Sequence, residues 1–372
     1  MVSSLARLDE RSSLSEKLLL VHDAISARLP FIHRASVAIY DAQTDHLKTL
    51  LDSSASGPTL SNYQARLAET PSLQELAASG SPRIVNDLAA FEDSEAPHTQ
   101  RILASGFRSS YTMPMVFDRV FYGFVFFNSR DKNRFSGEVT AQLDPFARLL
   151  ALMVVSEFRT LGRLSAATRT LRHITMRRDC ETGAHLERMS RFARLIASEL
   201  AGFFRLNDEY IEHVFLFAPM HDIGKIAIPD SILLKPGPLD AKEMALMQSH
   251  AEKGLEIVDY MLNEFDLSHL VHVEVLRNIV RHHHEWVNGA GYPRGLRGSE
   301  IPLEARIVAT ADVFDALTSP RPYKPAWSNN EAFAELRAQS GRKLDPLCVE
   351  ALVKHRDEVE ALQVQFCEPE LA

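Results

Sequence analysis

Acids and histidines recur at intervals of about thirty residues between Glu181 and Asp312: Glu181-x-x-x-His185, His221-Asp222-Ile223-Gly224-Lys225, His250, His283-His284-Glu285 and Asp312. Nine of the fifteen histidines lie between His185 and His284, a concentration that marks a site rather than scattered surface residues. Groups so far apart in the chain act together only if the elements carrying them converge. This stretch is therefore expected to fold as helices meeting at one point. Carboxylate and imidazole without cysteine are the ligands of a hard-to-borderline divalent metal. The set is too large for one ion, and two or three metals are expected.

Each fragment alone is less telling than the series. Glu181 and His185 stand four apart on an expected helix and share a face, but alone they read first as an exposed helical pair. A His-Asp dipeptide is common, and a solitary histidine such as His250 is more often structural than ligating. His221-Asp222 is read as the end of a largely apolar helix, Val214 to Asp222, where an ionised Asp must be paired or metal-bound. Gly224 is expected to let the chain leave that helix, and Lys225 returns positive charge beside the Asp. Placed on a helix, His283 and His284 point about 100° apart, so the pair can reach two neighbouring metals. His282 is expected to point elsewhere. Asp312 is flanked by small residues, and Asp315, one turn on, is expected to support a ligand from behind.

The net charge of −8 leaves no domain-wide basic field for a nucleic acid polymer. Three cysteines, Cys180, Cys348 and Cys367, form no CxxC pair and suit a reducing compartment. Residues 1–11 lack the apolar core of a secretory signal. The longest apolar stretches, Val120–Phe127 and Leu149–Val155, are too short for a bilayer. A cytoplasmic chain without membrane attachment is the expectation.

The fold class expected is multidomain, α/β followed by all-α. Residues 1–140 read as an α/β domain. It has a helix over Leu14–Leu29, strands over Ala35–Tyr40 and Asp45–Leu51, a helix over Pro71–Ala78 and a strand over Pro82–Val85. Two long strands, Ser109–Phe117 and Val120–Asn128, close it, joined by Asp118-Arg119. Residues 141–178 continue a helix whose apolar stripe runs from Leu143 through Leu150, Val154 and Phe158 to Leu161, Leu164, Leu171 and Ile174. That stripe serves either as a parallel dimer seam or as packing on its own domain. Residues 179–372 read as helical throughout. Asp240-x-x-Glu243 and Ser328-x-x-Glu331 fit capping boxes, and Pro302 opens a helix.

Residues 13–155, with Gly106-Phe107, Met113-Pro114-Met115 and Gly123–Phe127, resemble a GAF domain. This implies a sensor domain with an unknown small ligand. It contains no cysteine, which excludes a thioether-linked bilin. The later phrases form a more specific pattern: His221-Asp222-Ile-Gly-Lys225, Pro229-Asp230, His283-His284-Glu285, Gly291-Tyr292-Pro293, Ala311–Ser319, Arg321-Pro-Tyr-Lys324 and Leu344-Asp345-Pro346. Over about residues 177–355 the chain resembles an HD-GYP domain of the HD phosphohydrolase superfamily. The resemblance implies a metal-dependent phosphodiesterase that opens cyclic-di-GMP to pGpG, and possibly on to GMP. It implies Glu181, His185, His221, Asp222, His250, His283, His284 and Asp312 as metal ligands. Glu181 matches the extra carboxylate of members with three metals, and iron or manganese is the expected metal.

By the same resemblance Asp222 and Lys225 are catalytic, and Asp179, Lys225, Tyr292, Arg321 and Lys324 bind substrate. A homodimer is implied, as is a diguanylate cyclase partner at the Gly291-Tyr292-Pro293 loop. Two departures stand out. Asn288 replaces the usual Asp before Gly291-Tyr-Pro, and Pro219 precedes the His-Asp pair, where it removes a helical hydrogen bond. The competing readings are a non-catalytic cyclic-di-GMP receptor and a phosphodiesterase for another cyclic dinucleotide such as cyclic GMP-AMP.

Overall fold

The computed structural model describes residues 4–54, 64–91, 97–175, 183–267, 271–319 and 326–367. The chain divides into two units, Met1–Thr160 and Leu161–Ala372.

The first unit is built on an antiparallel sheet. In chain order its elements are α1 (Leu14–Ser26), β1 (Arg34–Asp41), β2 (His46–Asp52), β3 (Gln64–Arg66), α2 (Pro71–Ser79), β4 (Arg83–Val85), α3 (Pro97–Ala104), β5 (Ser109–Phe117), β6 (Val120–Ser129) and the part of α4 (Gly137–Thr175) up to Thr160, the rest of α4 belonging to the second unit. The six strands lie in the order β3-β2-β1-β6-β5-β4. The β5–β6 turn works because Asp118 and Arg119 both take positive φ, 51° and 65°, the twist that matches paired strands.

Along β6 successive side chains alternate between faces. Val125 and Phe127 join Leu18, Val21 and Ile25 of α1 and Leu143, Leu150 and Val154 of α4 in one core. Phe124 and Phe126 pack on the other face with Leu73 and Leu76 of α2. Burying a phenylalanine such as Phe127 contributes about 1.5–3 kcal/mol. The buried Arg34 guanidinium ties three strands together, donating to Asp52 Oδ2 (2.9 and 2.8 Å) and to Asn128 Oδ1 (2.8 Å).

By length and composition, Gly137–Leu164 could cross a membrane, which the short apolar runs had not suggested. Within it, however, Leu143, Ala147, Leu150, Ala151 and Val154 are buried against the sheet. The apolar stripe over residues 143–158 thus contributes to the unit's own core. The short β3 and α3 were not foreseen.

The second unit is helical. It comprises α5 (Gly183–Phe204), α6 (Asp208–Phe217), α7 (Asp230–Leu233), α8 (Ala241–Gln248), α9 (His250–Glu264), α10 (Val273–His282), α11 (Leu303–Thr318), α12 (Asn329–Gln339), α13 (Pro346–Lys354) and α14 (Arg356–Gln365). No strand occurs among its described residues. Helix α5 is its axis and packs against α6, α11 and α13. Phe192 of α5 meets Phe314 of α11 at 5.4 Å between ring centroids, and Phe314 stacks on Phe333 of α12 at 4.8 Å. The capping boxes form at Asp240–Glu243 and Ser328–Glu331.

Candidate metal centre

The apolar helix expected to run to Asp222 stops earlier. Helix α6 ends at Phe217, and Ala218–Met220 make a tighter 3-10 turn with Pro219 inside it. Proline cannot donate the hydrogen bond that would continue an α-helix. The tightened turn delivers His221 and Asp222 into the interior, where they are 0% and 5% exposed. Gly224 does not act through a special backbone angle, as its expected role required. A Cβ there would lie 1.8 Å from the carbonyl oxygen of His250 and 2.6 Å from the Gly254 amide nitrogen. Only glycine lets this turn lie against the start of α9 and so bring Asp222 beside His250.

Two groups of potential ligands result. Asp222, His250, His283 and His284 offer atoms within 4.8 Å of one another, and so do His185, His221 and Asp312. They come from the first turn of α5, the turn after α6, the start of α9, the end of α10 and the middle of α11. Asp222 stands between the groups. Its Oδ1 lies 3.2 Å from His250 Nε2 and 3.4 Å from His283 Nε2, while its Oδ2 lies 3.3 Å from His221 Nε2. Asp312 Oδ1 is 3.8 Å from His185 Nε2 and 4.0 Å from His221 Nε2.

The histidine tautomers follow from their other nitrogens. His221 Nδ1–H donates to the Ala218 carbonyl (2.9 Å), His250 Nδ1–H to Met247 (2.8 Å) and His283 Nδ1–H to Ile279 (3.0 Å). A carbonyl can only accept, so each Nδ1 carries a proton and Nε2 is the ring atom turned toward the cluster. This donor set, imidazole Nε2 and carboxylate oxygen held from behind, suits a borderline divalent cation.

His283 and His284 differ from expectation. Helix α10 ends at His282, so the pair lies beyond its last turn. The rings sit 4.0 Å apart and both belong to the Asp222 group. His282 belongs to neither group, with its Nδ1 3.7 Å from Glu285 Oε1. Glu285, whose role spacing did not show, is buried and accepts from the Arg294 amide (2.7 Å) and the Leu296 amide (3.0 Å). It thereby pins the following loop.

Within that loop a Cβ at Gly291 would lie 2.2 Å from the Trp286 amide nitrogen, so the close approach needs glycine. Tyr292 is brought to 4.8 Å from the His284 ring and 6.1 Å from that of His250. Asn288 uses its side-chain oxygen to accept from the Ala290 amide at 2.9 Å, a turn that an Asp could make equally well.

Behind His185 stands Asp315, whose Oδ2 accepts from His185 Nδ1 at 2.7 Å. Arg188, one turn along α5, donates from Nε to Asp315 Oδ1 (2.7 Å) and from Nη2 to Oδ2 (2.9 Å). Lys225 Nζ is 2.6 Å from Asp222 Oδ2. Asp179, Glu181, Arg321 and Lys324 lie outside the described residues.

The electrostatics favour ligation at neutral pH. Burial alone would raise Asp222, but Lys225 and His221 outweigh it and hold the carboxyl well below its ordinary range. Burial lowers His283, and lowers His284 well below the usual imidazole value, with the neighbouring His283 adding to the effect. Both rings are therefore neutral, the form that binds metal. Burial, then the nearby Asp222, raises Tyr292 and keeps it a neutral phenol.

Residues 180–347 match the family model described as HD domain. Over 219 residues the chain is 47% identical to the cyclic di-GMP phosphodiesterase response regulator RpfG of Xanthomonas campestris, covering 59% of this chain and 54% of that one. It is 42% identical over 189 residues to the 3'3'-cGAMP-specific phosphodiesterase 2 of Vibrio cholerae, covering 51% and 34%. It is 40% identical over 182 residues to a cyclic di-GMP phosphodiesterase of Thermotoga maritima, covering 49% and 46%. The matches thus span between a third and about half of these relatives' own lengths. Among solved structures, the GAF domain/HD domain protein from Geobacter sulfurreducens aligns at 17% identity and a TM-score of 0.32, covering 39% of this chain and 93% of that one. So weak a likeness carries no argument. The two described ligand groups both lie within the residues that match that HD domain model.

Proposed function

We propose that the helical unit is an HD domain, a metal-dependent phosphodiesterase that opens cyclic-di-GMP to pGpG or onward to GMP. The observation that carries the reading is Asp222, which directs one carboxylate oxygen toward each of the two ligand groups. His185, His221 and Asp312 would hold one ion, and His250, His283 and His284 another, with Asp222 between them. Glu181 would add a third carboxylate. Iron or manganese fits the donors. Bound metals lower the pKa of water into the neutral range and offset phosphate charge.

The chain's own groups supply the rest. Lys225, on Asp222, would face the scissile phosphate and assist the departing ribose oxygen. Tyr292, a neutral phenol beside His284 and His250, would border the nucleotide. Arg321 and Lys324 would bind phosphate, the former through its planar fork, and Asp179 would contact the nucleotide. The first unit would act as a GAF-like sensor for a small ligand, and the chain would pair as a homodimer through the connecting helix of residues 141–178. The Gly291-Tyr292-Pro293 loop would receive a diguanylate cyclase, and the protein would act in the cytoplasm.

A second substrate is favoured by one observation. A relative whose name specifies 3'3'-cGAMP shares 42% identity over this region. Chromatographic assay of both dinucleotides separates the two. The reading predicts faster loss of cyclic-di-GMP, with pGpG or GMP appearing. Preferential loss of cyclic GMP-AMP would transfer the assignment, and binding of either without products would make the domain a receptor.

A further inference from the structure

His185 is the one described ligand candidate whose Nδ1 is held by a side chain instead of a backbone carbonyl. His221, His250 and His283 donate to carbonyls of their own local turns. Those anchors come with the backbone and need no further support. His185 donates to Asp315, and a carboxylate can rotate about its own bonds. Something must fix Asp315 if His185 Nε2 is to stay aimed at Asp312 and His221.

The geometry points to Arg188. It lies three residues from His185 on α5, so both project from one face. Its Nε and Nη2 engage the two Asp315 oxygens at 2.7 and 2.9 Å, the paired arrangement that fixes both the plane and the direction of a carboxylate. The remaining contacts fix Arg188 itself. Nη2 also donates to Ser319 Oγ at 2.6 Å, and Nη1 donates to the Phe366 carbonyl at 3.0 Å. Ser319 Oγ in turn donates to Asp315 Oδ2 at 2.8 Å. Asp315 is fully buried and Arg188 is 5% exposed, so no solvent competes for these bonds.

We infer that Arg188 is a positioning residue for the ligand group formed by His185, His221 and Asp312: it locks Asp315, Asp315 locks the His185 ring, and the Asp222 group does not depend on it. The inference rests on the metal reading above. It also makes the carbonyl of Phe366, beyond α14, part of the support for that group. Lysine cannot replace the arginine, because a single ammonium cannot hold both carboxylate oxygens at once.

The test is Mn(II) binding to the metal-freed full-length chain, followed by calorimetry and by metal content after desalting. Wild type is compared with Arg188→Lys, Arg188→Met and Asp315→Asn. Circular dichroism and thermal unfolding of the metal-free proteins report folding. The expected result is that each folded variant binds about one ion fewer than wild type, or binds that ion 10–100-fold more weakly, as loss of a supporting contact does, with the other ion unaffected. Arg188→Lys, which keeps the charge, serves where Arg188→Met fails to fold. Undiminished binding in folded Arg188→Lys overturns the inference, as does equal weakening of all ions. A wild-type chain that binds no Mn(II) overturns the metal reading itself and the inference with it.

Discussion

The two units bury different things. Among the described residues, the first unit's cores are leucine, valine and phenylalanine on the two faces of one sheet, and its buried charged side chain is Arg34. The second unit has an apolar core of its own, yet it also buries His185, His221, Asp222, His250, His283 and Asp315. Taking such groups out of water costs several kcal/mol per ion unless partners compensate. An apolar core needs no explanation beyond stability. A buried set of imidazoles and carboxylates aimed at shared points fits the metal-binding reading proposed above.

The largest expected effect follows from that contrast. Replacing both His221 and Asp222 with Ala should reduce dinucleotide turnover by at least about a thousandfold, within the several kcal/mol that metal-assisted hydrolysis supplies. Product chromatography checks it, and unchanged turnover would remove the metal assignment. In the first unit the comparable change is energetic. Phe127→Ala should destabilise it by about 3–5 kcal/mol, read as an earlier urea transition, with metal content per folded chain retained. A variant that lost its metal along with that stability would break the contrast.

Much of the candidate metal centre could be read from the sequence because potential ligands are recognised by type and recurrence. Asp315 was foreseen as support because it follows Asp312 by one turn. What escaped was set by distant partners. Gly224 matters because of the His250 carbonyl, Glu285 because of the Arg294 and Leu296 amides, and Arg188 because of Asp315. No local pattern encodes those contacts. His283-His284 was misplaced for a related reason: the dipeptide does not show that α10 stops one residue before it. In the first unit, the long strands β5 and β6 announced themselves by composition. The three-residue β3 did not, because its pairing with β2 makes it a strand.

A smaller effect sharpens the comparison. A divalent cation that binds only the folded chain, supplied at a hundredfold its Kd, should stabilise the second unit by about 2.7 kcal/mol. The upward shift in its thermal transition should be absent from Asp222→Ala. An equal shift in that variant would place the cation elsewhere.

The smallest effect concerns pH. His355 Nε2 lies 2.9 Å from Glu199 and its Nδ1 2.7 Å from Glu358. Burial would lower its pKa, but Glu358 and Glu199 outweigh it and raise it. A raised folded-state value means the stabilisation is complete below the ordinary imidazole range and is lost as pH rises through the folded value. His355→Gln should therefore lower the thermal transition more at pH 6 than at pH 9, and only modestly, because the group is partly exposed. A larger loss at pH 9 would reverse the sign.

The central claim is that two ligand groups meet at Asp222 and hold separate ions. Metal analysis of anaerobically purified chain, wild type beside Asp222→Ala, tests it most directly. The account predicts two to three iron or manganese ions per wild-type chain and loss of most of that metal in the variant. One ion or none in wild type, or the same content in both proteins, would contradict it.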